Sequence, residues 1–184
     1  MALAALSPAR LRNAYHDDWF WEGNVQQTIA GYLTSVGWRI TSMADAGNRE
    51  HGVDIHAVRE KRVLRVEVKG FPSANYADPR RAAEKKRARP SAQASHWFSQ
   101  ALLKVMRDLH ANPRDEVAIG LPFHPRFVSL VQHTEAPLRR LRIGVYVVHP
   151  TGAVETVLPH QDERWKRFVD MESDGVRIVE RTHK

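Results

Sequence analysis

The sequence of 184 residues contains no cysteine. That absence excludes a disulfide framework, a thiol nucleophile and any metal site built from thiolates. The sequence also has no run of about 18 apolar residues, so we expect no membrane-spanning helix. Its first residues lack the charged region and the long apolar stretch of a signal peptide. We therefore expect a cytoplasmic protein.

Several common cofactor motifs are absent as well. The chain has ten histidines, but none stands in an HxxxH or HExxH arrangement, so a zinc site is not expected. Glycine-rich phosphate loops of the P-loop and dinucleotide types are missing. The sequence therefore gives no reason to expect ATP or a nicotinamide cofactor.

The positive charge is concentrated in one segment. The chain has 28 basic and 21 acidic residues and a net charge of +7, and residues 80–89 alone contribute +5. Such segments usually contact phosphates. A solvated charge run is the alternative, and a membrane-surface role is less favoured because the segment has no large apolar residues. The residues expected to contact nucleic acid are Arg80, Arg81, Lys85, Lys86, Arg87 and Arg89.

Hydrophobic periodicity predicts one mixed α/β domain over residues 17–158. Residues 1–16 are expected to be a lead-in, and residues 159–184 an extension that holds a short helix and a strand. We predict a central sheet with helices on both faces. The predicted elements are helix 17–36, strands 38–44, 53–58 and 62–69, helix 91–109, strand 116–121, helix 123–135, and strands 142–149 and 153–158. Residues 70–91 are predicted to be a long loop, or a loop with a short helix near 82–88.

Glu22 is placed unusually in the first predicted helix. The apolar stripe of that helix runs through Val25, Ile29 and Leu33. Glu22 lies one turn before Val25 and therefore continues the same stripe. A carboxylate at a buried position must be paired, hydrogen-bonded, protonated or bound to a metal. The alternative is a first-turn glutamate that the helix dipole favours.

A second pair of carboxylates lies in the hairpin of the second and third predicted strands. Side chains alternate between the two faces of a strand, so Asp54 and Glu67 are predicted to project from the same polar face. Lys69, two residues after Glu67, points the same way. Two carboxylates on one face repel each other unless a cation lies between them, and oxygen ligands suit Mg²⁺ or Mn²⁺. A solvated outer face of an amphipathic hairpin is the alternative.

These residues resemble the active-site signature of the PD-(D/E)XK nuclease superfamily. The resemblance is carried by Gly52-Val53-Asp54-Ile55, by the thirteen-residue step to Glu67, and by Glu67-Val68-Lys69-Gly70. The forms GVDI and EVKG look most like the Mrr-type, restriction-endonuclease-like branch. The resemblance covers residues 17–121 and implies a core of helix, three-stranded meander, helix and strand. Val53 stands where many members have proline, a departure that is frequent in the superfamily.

The resemblance also implies a role for each residue. Asp54, Glu67 and the main-chain carbonyl of Val68 would bind Mg²⁺ or Mn²⁺, and Glu22 would hold a second metal or a metal-bound water. Lys69 would orient or deprotonate the attacking water, or stabilise charge on the phosphate. On the helix after the basic segment, Gln93 is the best match to a glutamine that several branches place near the scissile phosphate. His96, on the same polar stripe, is the next candidate for a nucleic-acid contact, and ordinary surface positions are the alternative for both.

The sequence therefore predicts a Mg²⁺-dependent endodeoxyribonuclease with a role in restriction, defence or repair. The first alternative is a catalytically silent nucleic-acid-binding module on the same fold. The second is an unrelated small α/β interaction protein whose hairpin only mimics the motif. With little room for a separate recognition domain, cutting both strands favours a homodimer or a partner subunit.

Overall fold

A computed structural model describes residues 21–44, 52–74 and 84–158 of the chain. Within these ranges it contains four helices and six strands. In chain order they are α1 (Glu22–Ser35), β1 (Arg39–Met43), β2 (Ile55–Arg59), β3 (Arg62–Val68), α2 (Pro90–Ala111), β4 (Glu116–Pro122), α3 (Pro125–His133), α4 (Glu135–Arg140), β5 (Ile143–Val148) and β6 (Val154–Leu158).

All six strands belong to one mixed sheet in the order β1-β2-β3-β4-β5-β6. The first three form an antiparallel meander, β3, β4 and β5 run parallel, and β6 returns antiparallel to β5. The predicted fold class is therefore confirmed, including the order helix, three-stranded meander, helix and strand. The carboxyl ends of β3, β4 and β5 lie at the same edge of the sheet, where open α/β sheets usually bind ligands.

The helices cover both faces of the sheet, as the sequence predicts. Helix α1 packs Val25, Ile29 and Leu33 against one face, in a core that includes Val66 and Val68 of β3. Helices α2, α3 and α4 share the opposite face and its core. They do so because both crossovers between the parallel strands have the same hand, which carries the connecting helices over one face.

Two residues mark where helices end or begin. Gly37, with φ of 89°, follows α1 in the left-handed region, and its N–H donates to the Thr34 carbonyl at 3.1 Å. That conformation costs glycine little, so α1 ends there. The predicted helix 123–135 corresponds to α3, Pro125–His133. The structure adds the short helix α4, which was not predicted and begins after Thr134, where Pro137 fits the first turn of a new helix but not the interior of a continuous one.

The predicted loop 70–91 ends slightly earlier in the structure than in the prediction. Pro90 begins α2 because proline is favoured at the first helical position. Residues 84–88, the described part of the alternative short helix near 82–88, are not helical. Residues 1–16 and 159–184 lie outside the described residues. Among the described helices, none is both long enough and apolar enough to cross a membrane.

Candidate active site

Asp54 and Glu67 face each other at the open end of the β2–β3 hairpin. The antiparallel register pairs Ile55 with Val66, so the next pair outward is Asp54 with Glu67. Side chains of directly opposed residues lie on the same face, with Cβ atoms about 5 Å apart. Through its charge, Asp54 raises the pKa of Glu67, so the two carboxyl groups lie close to each other. One cation could therefore touch both.

The main chain and side chain of Asp54 are both held in place. Its Oδ2 accepts a hydrogen bond from the Val68 N–H at 2.6 Å. Its carbonyl accepts from the Ala44 N–H at 3.1 Å and from the side-chain amide of Gln26. These bonds tie Asp54 to β3, to the end of β1 and to α1, so the carboxylate has a fixed position relative to Glu67.

Lys69 supplies a positive charge directly beside the carboxylates. Its Nζ lies 2.6 Å from Oε1 of Glu67, and the two side chains are only 17% and 11% exposed. Burial lowers the pKa of Lys69, but Glu67, Glu22 and Asp54 together outweigh burial, so the pKa lies above its usual value. Lys69 is consequently a cation at neutral pH.

Glu22 reaches the same place from the first turn of α1. Its Oε2 accepts a hydrogen bond from the Gly70 N–H at 3.1 Å. A methyl group added at Gly70 would lie 3.2 Å from Cβ of Glu22 and 3.3 Å from its main-chain nitrogen. The absence of a side chain at Gly70 thus lets α1 approach the end of β3 closely enough for Glu22 to join the site.

The three carboxyl groups share an unusual electrostatic environment. Burial raises the pKa of Glu22, Asp54 and Glu67 above their ordinary values. Lys69 opposes this increase at all three. The charge of Glu67 adds to the increase at Glu22, the charge of Glu22 adds to it at Asp54, and the charge of Asp54 adds to it at Glu67. Each carboxylate is therefore harder to ionise than in water, and a bound cation would relieve that cost.

The donor set suits a hard divalent cation. Asp54, Glu67 and the Val68 carbonyl offer oxygen atoms alone, which Mg²⁺ and Mn²⁺ prefer to nitrogen or sulfur. The two opposed, buried carboxylates need a shared proton or a cation to lie in contact. In the described part of the chain, no group of three or more His, Cys, Asp or Glu residues is arranged to hold a metal ion. The residues fit a site of two carboxylates with further ligands from the main chain or water.

Gln93 lies near this site but is engaged with the main chain. It is 7% exposed, and its amide nitrogen donates to the carbonyls of Ser73, at 2.9 Å, and Ala88, at 2.7 Å. These two bonds use both amide N–H groups. Gln93 therefore joins the segment after β3 to the segment before α2, and its predicted contact with the scissile phosphate stays a prediction.

Lys86 is half-buried at the same junction. Its Nζ donates to Ser73 Oγ at 2.9 Å and lies 5.9 Å from the centre of the Trp97 ring. Its main-chain N–H donates to the Ala74 carbonyl at 2.7 Å. Burial lowers the pKa of Lys86. The described end of the basic segment is thus anchored only a few residues beyond Lys69.

The other predicted nucleic-acid contacts divide into two groups. Exposed side chains are found at Lys85, Arg87, Arg89 and His96, all at or near the start of α2. Arg80 and Arg81 lie outside the described residues.

Sequence reasoning missed two residues that act on the site. Gln26 is 3% exposed and donates to the carbonyls of Asp54 and, at 2.9 Å, Ala44. Its position one turn after Glu22 on the buried side of α1 was the available signal. Lys104 of α2 partly offsets the raised pKa of Glu67 through its charge, an electrostatic interaction between distant parts of the chain that no local pattern indicates.

Comparisons with known proteins give little further information. No protein-family model matches the chain, and no curated protein matches it. Among solved structures, the chain is similar to an XisH family protein from Nostoc punctiforme PCC 73102, with 15% sequence identity and a TM-score of 0.45. That match covers 73% of this chain and 98% of the other.

Proposed function

We propose that the protein is a metal-dependent nuclease that hydrolyses phosphodiester bonds in DNA. The observation that carries the proposal is the Lys69–Glu67 ion pair at the end of β3, with Asp54 opposite Glu67 in the hairpin and Glu22 hydrogen-bonded to Gly70. The resemblance of these four residues to the PD-(D/E)XK signature supports it. Two carboxylates that can share a divalent cation, next to a lysine, would supply the groups that metal-assisted phosphoryl chemistry uses, and buried ionisable groups with shifted pKa values favour a functional site.

Each residue has a distinct task in this proposal. Asp54, Glu67 and the Val68 carbonyl would hold Mg²⁺ or Mn²⁺, which when bound would polarise the phosphate and acidify water. Lys69, already charged, is placed to stabilise negative charge that develops on the phosphate oxygens. Glu22, the carboxylate that does not face Asp54 directly, would position water or a second cation.

The surrounding charges suit a polyanionic substrate. The exposed cations at Lys85, Arg87 and Arg89 would contact backbone phosphates, which gives affinity without sequence preference. Gln93 and Lys86 would hold these cations at a fixed distance from Lys69. Cutting both strands of a duplex would require a second copy or a partner subunit, and a homodimer stays a prediction.

A cleavage assay over several nucleic acids tests the proposal. We expect the purified protein to cut DNA from a panel of plasmid, linear duplex, single-stranded and branched forms when Mg²⁺ or Mn²⁺ is present. EDTA should stop the reaction, and excess Mg²⁺ should restore it. The Glu22→Gln variant should fold normally and cut more slowly.

The silent-module alternative predicts a different pattern. A protein of that kind would bind DNA with or without EDTA and would cut none of the substrates. Cleavage that resists EDTA, or that survives unchanged in Asp54→Ala, would overturn the proposal in favour of a contaminating nuclease.

A further inference from the structure

Aromatic rings gather at the sheet edge beside the candidate active site. We call the set Phe71, Phe123, His124 and His149 the aromatic shelf. Phe123 stacks on His149, with ring centres 5.0 Å apart and planes inclined by 24°. His124 meets Phe71 edge to face, with ring centres 5.1 Å apart. These residues follow the ends of β3, β4 and β5.

The parallel register places the shelf next to Lys69. Val68 is paired with Gly120, and the Lys69 N–H donates to the Gly120 carbonyl at 2.9 Å. Lys69 is therefore level with Leu121, and Phe123 is two residues further along the same face. Two strand residues span about 7 Å. A nucleotide next to a phosphate at the site would reach this ring.

The shelf is open to solvent and held in a fixed position. Phe123 is 41% exposed, and among the large apolar side chains exposed in the described ranges it alone is aromatic. Its N–H donates to the Val148 carbonyl at 2.7 Å, which fixes its main chain against β5. The His149 ring is also held by Glu155, with 2.9 Å between Nε2 and Oε2. An exposed and ordered aromatic ring is suited to stacking with a ligand.

A cation borders the shelf on the side of α2. Arg126, at the start of α3, donates through Nε to Ser95 Oγ of α2 at 3.1 Å, and its main-chain N–H donates to Nδ1 of His124 at 3.2 Å. Stacking rings with a neighbouring cation are the combination that single-stranded nucleic acids bind. The bases of a duplex are already stacked, and exposing one costs a few kcal/mol.

We propose that the aromatic shelf stacks an unpaired nucleobase of the DNA strand whose phosphodiester enters the active site. This inference rests on the proposed function and specifies its substrate class as DNA with unpaired bases beside the scissile bond. Phe123 makes the principal stacking contact, His149 supports the ring from behind, and Arg126 contacts the adjoining phosphate. Paired DNA gains nothing from the shelf unless it is frayed or branched.

Binding in EDTA tests the inference without requiring hydrolysis. The probes are fluorescein-labelled oligothymidylate and an abasic oligonucleotide of the same length and charge, with affinity measured by anisotropy. We expect the full-length protein to bind oligothymidylate roughly five- to a hundredfold more tightly than the abasic strand. Phe123→Ala should remove most of that preference and leave the abasic affinity unchanged, whereas Phe123→Tyr should retain it.

Leu141→Ala is the matched control, since Leu141 is also 41% exposed but lies after α4, away from the shelf. It should alter neither affinity. The inference is overturned if the wild type binds both strands equally, or if Phe123→Ala weakens both by the same factor. A protein that cuts DNA but shows no base-dependent binding would disprove only the shelf. A protein that shows base-dependent binding but never cuts would disprove only the nuclease.

Discussion

Asp54→Asn is expected to reduce cleavage at least about a thousandfold while making the metal-free protein more stable. The loss of activity follows because asparagine removes one of the two opposed carboxylates, and cation-assisted stabilisation of this kind contributes several kcal/mol at about 1.4 kcal/mol per tenfold in rate. The fold should survive because the asparagine oxygen can still accept the hydrogen bond that Val68 donates to Asp54.

The gain in stability follows from the carboxylate pKa values. Burial raises the pKa of Asp54 and Glu67, so the folded protein binds protons there more tightly than the unfolded chain does. The contribution of these two groups to the free energy of unfolding is greatest in acid. It falls as the pH rises through their raised pKa values. At pH 8 in EDTA, we expect Asp54→Asn to unfold about 2–4 °C higher than wild type, which corresponds to roughly 1 kcal/mol. The difference should shrink towards pH 4, where Asp54 is protonated.

Asp115→Asn is the matched control for this result. Asp115 precedes β4, away from the carboxyl ends of the parallel strands, and its Oδ2 lies 2.7 Å from Nε of Arg65. Its loss should leave cleavage intact and lower the unfolding temperature or leave it unchanged. If Asp54→Asn were less stable than wild type at pH 8 in EDTA, the carboxylates of Asp54 and Glu67 would not repel each other.

Lys69→Met is expected to reduce cleavage by about a hundred- to a thousandfold, the usual cost of removing one group that stabilises transition-state charge. Its effect on stability should be opposite to that of Asp54→Asn, because Glu67, Glu22 and Asp54 would lose their shared cation. The loss should be larger at pH 8 than at pH 5, since more of these carboxylates are ionised at pH 8. Single-turnover cleavage and thermal unfolding at both pH values measure the two effects.

Two comparison variants separate charge from position. Lys61→Met removes the same charge from the exposed turn at the other end of the β2–β3 hairpin, and it should leave cleavage unchanged. Lys69→Arg keeps the charge but alters its shape, and it should recover stability more completely than activity. If Lys69→Met cut DNA as fast as wild type, Lys69 would have no role in the mechanism.

The core of the candidate site was accessible from local sequence patterns. Alternation along two strands placed Asp54 and Glu67 on one face, and helical spacing placed Glu22 on the buried side of α1. The structure brings these three residues and Lys69 together, while their chemical roles remain predictions. Such patterns succeed here because a hairpin and a helix terminus are local structures whose side-chain directions depend on period alone.

The surroundings of the site could not be predicted in the same way. Gln93 and Lys86 turn inward onto carbonyl and hydroxyl groups of Ser73 and Ala88, and no local periodicity indicates these partners. The aromatic shelf forms only when β3, β4 and β5 align in parallel, which brings Phe71 to His124 and Phe123 to His149 from distant parts of the chain. Parallel register depends on the packing of whole helices and is not encoded near any one of these residues.

The central claim is that Asp54 and Glu67 together hold the divalent cation that serves DNA hydrolysis. Anomalous scattering from crystals grown with Mn²⁺ tests it most directly. The account predicts a peak about 2.0–2.6 Å from carboxylate oxygens of both Asp54 and Glu67, and no such peak in Asp54→Asn. A peak that touches neither carboxylate, or no peak at Mn²⁺ concentrations that support cleavage, would contradict it.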